Sequence, residues 1–487
     1  MPSADDRSLE QISFAVALNG IAMRKFRLID VCILLFILLY SMFPSYLGMR
    51  VAGVLFNVPR ALTMGMTALI LIDIAANRRT VSRLVRVCRR SGGSLLFVAG
   101  YLMFRFASAF GSDNSSLSFN AAVSDMLFST VFLYLGIFFV RELDRFDKLI
   151  TTMVIAAAII CVIGLVEAAL GRNLVASAFP MMEITDDDYL KIALSDKMRG
   201  TYRVQSTFFH PLAFASYLVL LMPLGTYCIQ RAKTFPGRVF FIGVVGLMGV
   251  NAFYTGSRAA LLVMAIIALV YWASFSVNLL NSPPYVRWAI GMTNLCLIVA
   301  IAAAAVPVAR HLIAGQSQDE QSSSAGRLVQ LERGAETVVE NPVLGVGPRM
   351  AGKYAGIRDA FGATVDNWYL TIVVESGVGA LICFVGILSA MILMARRLIR
   401  AHPQSNKIRQ LCRAIMIGVG CFGLFLVILS LHDETFPYLF LLMGGLVSMN
   451  DLSLRTRREA RHAQARAATA RVMSNQSARP AQRERPA

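Results

Sequence analysis

Long apolar runs separated by short polar stretches are the main pattern of this sequence. Twelve runs occur between residues 28 and 451, and most approach the ~20 residues that a helix needs to cross a bilayer. They lie near 28–46, 56–76, 94–110, 121–140, 149–170, 208–229, 239–255, 259–277, 289–306, 368–395, 414–430 and 437–451. The third and the seventh are short for a span. Because backbone groups in lipid must be hydrogen-bonded internally, such uninterrupted runs predict helices and not barrel strands.

The composition favours one membrane domain over several soluble ones. Of 487 residues, 56% are hydrophobic and only 16% are charged, whereas soluble domains have about 25% charged residues. We therefore predict an all-α polytopic membrane protein with about twelve transmembrane helices over residues 28–451. Residues 1–27, which lack the pattern of a cleavable signal peptide, precede this domain. A basic tail at 452–487, which we expect to be disordered, follows it.

The net charge of +18 comes mainly from short loops and the tail. The loops 77–93 and 396–413 each hold six basic residues and no acidic residue. An even number of spans places these loops and both termini on one side, which the excess of Lys and Arg assigns to the cytoplasm. No basic surface interleaved with aromatic residues suggests a soluble nucleic-acid-binding fold, so we expect no nucleic acid as a partner.

The eight cysteines give no sign of a metal or redox site. None has CxxC spacing, and none lies in the two long polar loops predicted on the external side, 171–205 and 307–367. We therefore expect no disulfide framework, no bound metal and no cofactor.

The longer external loop, 307–367, predicts short helices of its own. Serines at 322–324 precede a helical pattern with an apolar face, and a tight turn follows at 341–348. That face contains Leu328, Leu331, Ala335, Val338 and Val339.

Three arginines stand at predicted external starts of helices. Arg203 precedes the sixth span, Arg258 opens the eighth, and Arg327 lies in the first turn of the loop helix. A helix N-terminus carries partial positive charge and free N–H groups, and a guanidinium binds phosphate through a fork of donors. We predict that the three arginines face one external cavity and bind phosphate there. The alternatives are anchoring at lipid headgroups and, for Arg327, a solvated helix face.

Asp366, His210 and Glu375 are the candidates for general acid–base chemistry. Each has a structural alternative. Asp366 and Asn367 precede the tenth span and could cap it. His210 stands before a proline in a first helical turn, and Glu375 lies two turns inside a span, where bonding to a neighbouring helix is the commoner role. The short polar loop at 432–434 is a further source of acids and bases.

The order of these segments is more informative than any one of them. The chain contains R-V-Q-S-T-F-F-H-P at 203–211, T-G-S-R at 255–258, E-N-P-V-L-G-V-G-P at 340–348, D-N-W-Y-L at 366–370 and E-S-G-V-G at 375–379. This order resembles the O-antigen ligase and Wzy-type polysaccharide polymerase superfamily. The resemblance covers residues 200–380 and the number of spans, whereas residues 1–140 match only in hydropathy.

The resemblance implies a metal-independent, membrane-embedded glycosyltransferase of the GT-C type in the bacterial inner membrane, with its active site facing the periplasm. The donor would be a glycan on undecaprenyl diphosphate, and the acceptor a sugar hydroxyl on another lipid-linked repeat unit or on a lipid A core. By the motif match, Arg203, Arg258 and Arg327 would bind the diphosphate. Membrane lipids, a chain-length regulator and a flippase are the further partners that it implies.

One departure from the family pattern bears on the acceptor. Ligases of this superfamily typically have His-Asn where this chain has Asp366-Asn367, and the Asp-Asn form looks more like the polymerase branch. The favoured interpretation is polymerisation into O-antigen or exopolysaccharide, and ligation to a lipid A core is the alternative. A transporter or flippase for lipid-linked glycans is an alternative from another class, but the sequence has no matching halves.

Overall fold

The computed structural model describes residues 28–51, 54–175, 183–184, 202–278, 283, 285, 287–288, 291–293, 318–359, 362–429 and 434–477. Its helices are α1 (Leu28–Met42), α2 (Val58–Ala76), α3 (Arg78–Arg90), α4 (Gly92–Phe110), α5 (Ser115–Phe139), α6 (Leu143–Leu170), α7 (Pro211–Arg231), α8 (Phe235–Tyr254), α9 (Arg258–Asn278), α10 (Gln318–Glu340), α11 (Ala351–Ala355), α12 (Trp368–Ala401), α13 (Asn406–Phe425) and α14 (Phe436–Ser477).

Within these described ranges, five short strands accompany the helices. They are β1 (Leu47–Val51), β2 (Val54–Asn57), β3 (Glu183–Ile184), β4 (Ile357–Asp359) and β5 (Gly362–Thr364). Strand β1 pairs antiparallel with β2 and β3, so that Gly48 lies opposite both Asn57 and Glu183, and β4 pairs antiparallel with β5.

The apolar runs fold as helices wherever the structure describes them. Eight helices (α2, α4, α5, α6, α7, α8, α12 and α13) are long and apolar enough to cross a membrane, and α1 and the first part of α9 are shorter apolar helices. The chain is thus an all-α polytopic membrane protein. Helix α14 begins with the twelfth predicted run, whereas the ninth, 289–306, lies almost wholly outside the described residues. The total of twelve spans stays a prediction.

Local sequence determines where several helices begin. The side chains of Asn57, Asn114, Thr234 and Ser405 each accept a hydrogen bond from the backbone N–H three residues on, at the starts of α2, α5, α8 and α13. Prolines occupy the first turn of α2, α7 and α8, where a missing N–H leaves no bond unmade. These signals place the helix ends, and the loops between them, at two levels of the bundle.

The helix ends and the loops between them lie at two ends of the helix bundle, which we call the motif face and the basic face. The motif face holds residues 202–210, 255–258, 341–348 and 366–370. Its loops bond to one another: Val204 N–H donates to the Tyr254 carbonyl oxygen (3.0 Å), and Trp368 N–H donates to that of Leu426 (3.0 Å). The basic face holds α3 and residues 402–405. The core between them is dominated by buried aromatic residues, among them Phe132, Phe138, Phe384, Phe422 and Tyr438.

Ion pairs tie the helices together at the basic face. Arg145 pairs with the buried Asp30 (2.6 Å), and Arg90 pairs with Asp451 (2.7 Å). Lys407 contacts Asp147 (2.5 Å) at the start of α6. These contacts join α6 to α1 and α13, and α3 to α14.

Three helical segments differ from the sequence prediction. Helix α3 occupies residues where a basic loop was expected, at 77–93. Helix α10 begins at Gln318, ahead of the serines, so Arg327 lies in its third turn and not in its first. Helix α14 continues to Ser477, through most of the tail for which disorder was expected.

Helix α10 also packs by a different face from the apolar one. Gln330, Gly334 and Thr337 are buried, and a Cβ on Gly334 would lie 2.7 Å from the Leu370 side chain of α12. Leu328, Leu331 and Val339 are instead exposed, by 70%, 54% and 81%. A small and polar face allows α10 to approach the N-terminal turn of α12 closely.

Candidate functional site

Glu167 holds the segment that carries Arg203. Its carboxylate, at the C-terminal end of α6, is fully buried. It accepts hydrogen bonds from the Tyr202 hydroxyl (2.5 Å) and from the backbone N–H groups of Gln205 (3.2 Å) and Ser206 (2.6 Å). Three donors satisfy a carboxylate that burial would otherwise make unfavourable. The chain on both sides of Arg203 is therefore bonded to the bundle.

The T-G-S-R turn joins α8 to α9. The Thr255 hydroxyl accepts the backbone N–H of Ser257 (3.4 Å), and the Ser257 hydroxyl accepts the backbone N–H three residues on (3.2 Å). Ser257 thus caps α9, and Arg258 is the first residue of that helix. The predicted position of Arg258, at the start of a helix, matches the structure.

Arg203 lies directly over this turn. Its Nε donates to the carbonyl oxygen of Thr255 (2.8 Å). Gly256 has a left-handed φ of 64°, and a Cβ at that position would lie 3.1 Å from Arg203 Nε. Glycine therefore provides both the turn and the space for the arginine. Two arginines far apart in the sequence, Arg203 and Arg258, are brought to one turn.

Asp366 is held by two side chains of α10. Arg327 Nε lies 3.6 Å from Asp366 Oδ2, and both side chains are partly exposed. One turn along the helix, the buried Gln330 accepts the backbone N–H of Asp366 through Oε1 (3.0 Å). Helix α10 thus contacts the Asp366 carboxylate through Arg327 and the Asp366 backbone through Gln330.

The N-terminal cap of α12 is Asn367 and not Asp366. Asn367 has an extended backbone, and its Oδ1 accepts the backbone N–H of Leu370 (3.1 Å). The capping role considered for the Asp366-Asn367 pair therefore belongs to its second residue. The Asp366 carboxylate points to Arg327 instead.

Helix α12 is broken at Gly377, and the loop 341–348 bonds to the break. Gly377 has φ 79° and ψ 175° inside an otherwise helical segment, which frees backbone groups that the helix would have used. Three bonds of 2.9 Å join the two segments, from Val346 N–H to Val374 O, from Gly347 N–H to Glu375 O and from Val378 N–H to Pro342 O.

The glycines of the two motifs are needed for this close approach. A Cβ on Gly345 would lie 2.4 Å from the carbonyl oxygen of Val374, and one on Gly377 would lie 2.1 Å from that of Val343. No side chain fits at such distances. The spacing of glycines in E-N-P-V-L-G-V-G-P and E-S-G-V-G is thus explained by packing of the loop against the broken helix.

Glu375 forms a buried ionic network beside the break. Its Oε2 accepts a hydrogen bond from Arg105 Nη1 (3.1 Å), and Arg105 Nε donates to Asp125 (2.7 Å). The guanidinium also lies 5.9 Å from the ring centroid of Trp368. These contacts join α4, α5 and α12, and they give Glu375 a structural partner. Its role as a base stays a prediction that the contacts do not favour.

His210 caps α7. Its Nδ1 accepts the backbone N–H of Leu212 (3.1 Å), and the ring is buried. With Nδ1 accepting, the neutral ring carries its proton on Nε2, which then acts as a donor. Uptake of a further proton would break the cap. His210 as a base stays a prediction, and this geometry favours the structural alternative.

Residues 434–436 connect the arginine turn to the entry of α12. Glu434 Oε2 accepts the backbone N–H of Phe209 (3.2 Å), and its Oε1 accepts the Ser45 hydroxyl. The ring centroids of Phe436 and Trp368 are 5.2 Å apart. The two clusters therefore belong to one layer at the motif face. The prediction that Arg203, Arg258 and Arg327 face one cavity is neither contradicted nor tested by these contacts.

A further polar cluster fixes the short helix α11 to the turn between α4 and α5. Lys353 Nζ and the Tyr354 hydroxyl both donate to Asp113 Oδ2 (2.5 Å each). The hydrogen bond from Lys353, and to a smaller extent that from Tyr354, lowers the pKa of Asp113. The same bond to Asp113 raises the pKa of Lys353. Because the groups are exposed, they orient α11 more than they stabilise the fold.

Several contacts at the candidate site had no sequence signal. The roles of Glu167 and Gln330 depend on pairing with residues that are distant in the chain. In the described ranges, no group of three or more His, Cys, Asp and Glu side chains is placed to hold a metal ion. The polar residues at 186–188 and 432–433 lie outside those ranges.

Comparison with known families finds a match in the central part of the chain. Residues 243–385 match the family model described as O-antigen ligase. The match includes the T-G-S-R turn, α10, the loop 341–348, Asp366 and the break in α12, whereas Arg203 precedes it. It supports the O-antigen ligase and Wzy superfamily and does not separate its ligases from its polymerases. No curated protein matches the chain.

Proposed function

We propose that this protein, whose residues 243–385 match the O-antigen ligase family, polymerises glycan repeat units that are linked to undecaprenyl diphosphate. The family supports a membrane glycosyltransferase role in the assembly of lipid-linked glycans. The Asp366-Asn367 pair, in place of the His-Asn typical of ligases, favours the polymerase branch.

The proposed reaction is a displacement at the anomeric carbon of the donor glycan. A hydroxyl oxygen of the acceptor forms the new bond to this carbon as the bond to the diphosphate oxygen breaks. The electron pair leaves with the diphosphate, and the hydroxyl proton passes to a base. The site must therefore stabilise negative charge on the leaving diphosphate and accept the proton of the attacking hydroxyl.

The arginines meet the first requirement in this proposal. Arg203 and Arg258 share the turn at the N-terminus of α9, where the helix dipole adds positive potential. Arg327 would bind the diphosphate from the side of α10. Guanidinium groups held in place before the reaction stabilise the leaving group without reorganisation.

Asp366 meets the second requirement, and its pairing with Arg327 is the observation that carries the proposal. The two side chains are 3.6 Å apart, both are partly exposed, and both lie at the motif face. A cation for the leaving group and a carboxylate for the proton are thus within reach of a single reacting carbon. Because Asn367 provides the helix cap, Asp366 is not required for that purpose.

The proposal is tested with purified protein in nanodiscs. A lipid-linked single repeat unit is the only substrate supplied. We expect a ladder of longer glycans on the carrier lipid. Product that forms only after a lipid A core is added would identify a ligase. Transfer of the intact unit between leaflets, without new glycosidic bonds, would identify a transporter and contradict the proposal.

Lysine substitutions test the diphosphate site. Arg203→Lys, Arg258→Lys and Arg327→Lys keep the charge and lose the planar fork, so each should lower the transfer rate by about tenfold or more. Arg238→Lys is the matched control, because Arg238 is exposed near the start of α8 at the basic face. Unchanged rates in all three variants would remove the arginines from the proposed site.

The proposed orientation places the motif face in the periplasm and both termini in the cytoplasm of an inner-membrane protein. Reporter fusions at residues 85, 340, 404 and 470 test it, because only the fusion at 340 should report the periplasm. A fusion at 340 that reports the same side as the others would contradict this orientation.

A further inference from the structure

Helix α3 connects two apolar helices at the basic face. It is joined to α2 by Asn77 alone and to α4 by Ser91 alone. Both neighbouring helices are long and apolar enough to cross a membrane. One-residue links leave α3 no length of chain with which to move away from the ends of these spans. It is therefore held at the level where these two helices end.

One side of α3 is fixed to the bundle. Arg83 donates to the carbonyl oxygens at the C-terminal end of α5, at Ile137, Phe138 and Val140, at distances between 2.7 and 3.1 Å. These carbonyl groups have no partner within their own helix, so Arg83 acts as a C-terminal cap. Val87 is fully buried on the same side, and Arg90 pairs with an aspartate of α14.

The rest of the helix surface is divided into an apolar and a basic side. At 100° per residue, Val81, Val85 and Cys88 lie together, and the two valines are 38% and 61% exposed. Arg78, Arg86 and Arg89 lie together on the next side and are exposed. Within the described ranges, Arg86 and Arg89 have no side-chain partner, and α3 itself contains no acidic residue.

We propose that α3 is an interfacial helix that binds anionic phospholipid headgroups in the leaflet at the basic face. Val81 and Val85 enter the acyl region, and Arg78, Arg86 and Arg89 bind the phosphates around them. Zwitterionic lipids offer no net charge to arginines that lack carboxylate partners, which is why the occupant is anionic. Each basic residue near an anionic surface strengthens binding to it by about fivefold. The site is at the opposite end of the bundle from Asp366 and does not depend on the proposed reaction.

Quenching of a tryptophan by brominated lipids tests this site in the full chain. Val85→Trp protein is reconstituted with equal mole fractions of brominated phosphatidylglycerol or brominated phosphatidylcholine, and the wild-type signal is subtracted. We expect both lipids to quench the added tryptophan, and the anionic lipid to quench it several-fold more strongly. Val81→Trp provides a second probe on the same side of the helix if the first variant folds poorly.

The double variant Arg86→Gln with Arg89→Gln should abolish the preference for the anionic lipid and keep the quenching. Arg396→Gln with Arg397→Gln is the matched control, because it removes the same charge from exposed positions at the same face and should keep the preference. Equal quenching by both lipids at position 85 would overturn the proposal. So would an absence of quenching, or a preference that survives the loss of Arg86 and Arg89.

Discussion

Arg327 of α10 and Asp366 at the entry of α12 form an ion pair at the motif face, with Nε and Oδ2 3.6 Å apart. Both side chains are partly exposed, and exposed pairs of this kind contribute only ~0–1 kcal/mol to stability. The fold therefore gains little from the pairing. The pairing of Arg327 with Asp366 is more simply explained by a function of the two charges than by stability.

Asp366→Asn should separate catalysis from folding. The amide keeps the size of the side chain and cannot accept the proton of an attacking hydroxyl. We expect normal insertion and thermal stability, with a loss of at least about 10²-fold in the transfer rate measured with lipid-linked substrate.

Asn367→Ala is the matched control for the Asp366 variant. It removes the acceptor of the Leu370 N–H and should cost about 1 kcal/mol of stability, seen as a lower melting temperature. Near-wild-type transfer by Asp366→Asn would exclude the aspartate as the base and return attention to His210 and Glu375.

Gln330 should act as a positioning residue for Asp366. Gln330→Glu keeps an acceptor for the Asp366 N–H and adds a negative charge nearby, which disfavours the ionised carboxylate. We expect the acid limb of the pH–rate profile to move up by roughly one pH unit, with the rate recovered at higher pH. Gln330→Leu removes the acceptor and should lower kcat at every pH. A profile that does not move in Gln330→Glu would assign Gln330 to packing alone.

Glu375→Gln tests whether this acid supports the structure or the reaction. The change removes the Glu375 carboxylate from the buried Arg105, and breaking a buried pair costs about 3–5 kcal/mol. We expect a large fall in melting temperature. Asp125→Asn should cost less, because the Asp125 side chain is 28% exposed. A Glu375→Gln protein with normal stability and no activity would instead support a catalytic role.

Gly377→Ala should destabilise the protein strongly. The φ of 79° disfavours any Cβ by about 1–2 kcal/mol, and the new methyl group would also meet the carbonyl oxygen of Val343. We expect loss of folded protein in detergent, or a melting temperature lower by several degrees. Gly420→Ala, in α13, is the control: nothing lies within 4 Å of its Cβ position, and it should gain about 0.5–1 kcal/mol.

His402 should make stability depend on pH. Burial, with a smaller effect of Arg457, lowers the pKa of His402 to about 4, below the usual 6.5. Between these values the unfolded chain binds a proton that the folded protein does not. The contribution of His402 to the free energy of unfolding is therefore complete above about pH 6.5 and is lost as the pH falls towards 4. The loss is at most ~1.4 kcal/mol per pH unit before solvent screening reduces it.

Thermal unfolding of wild type and His402→Gln between pH 7 and pH 4.5 measures this effect. The wild type should lose more stability than the variant over that interval. Replacement of the ring also removes its contact with the Ser453 hydroxyl (2.8 Å), so the slope against pH, and not the absolute stability, is the quantity to compare. Parallel slopes would exclude His402 as the source.

The membrane helices were predictable because hydropathy is a local property. Each long apolar run must form its own hydrogen bonds in lipid, so its composition alone determines that it is a helix. Helix α3 and the continuation of α14 were missed because basic charge was taken as the sign of a loop or a disordered tail. Arg, Ala and Gln are good helix formers, and the residues after Arg455 are rich in them.

The candidate site was only partly predictable for a different reason. Arg258 at a helix start follows from local capping, since Ser257 precedes it. The contacts of Arg327 with Asp366, and of Glu167 with the backbone at Ser206, join segments that are distant in the sequence. The pattern within each segment carries no information on its partner. The third-turn position of Arg327 also depends on where α10 begins, which the serines at 322–324 did not indicate.

The attachment of the loop 341–348 to the broken helix has a consequence for which residues of this loop can change. Its bonds are made by main-chain groups, and they require glycine at only a few positions. The main-chain bonds do not require the side chains of Val343 and Leu344, which are 65% and 41% exposed at the motif face. In the proposed function, substitutions there alter the surface offered to a glycan while the loop keeps its place. We expect mutational tolerance, and with it the divergence of sugar preference, to concentrate at these two positions.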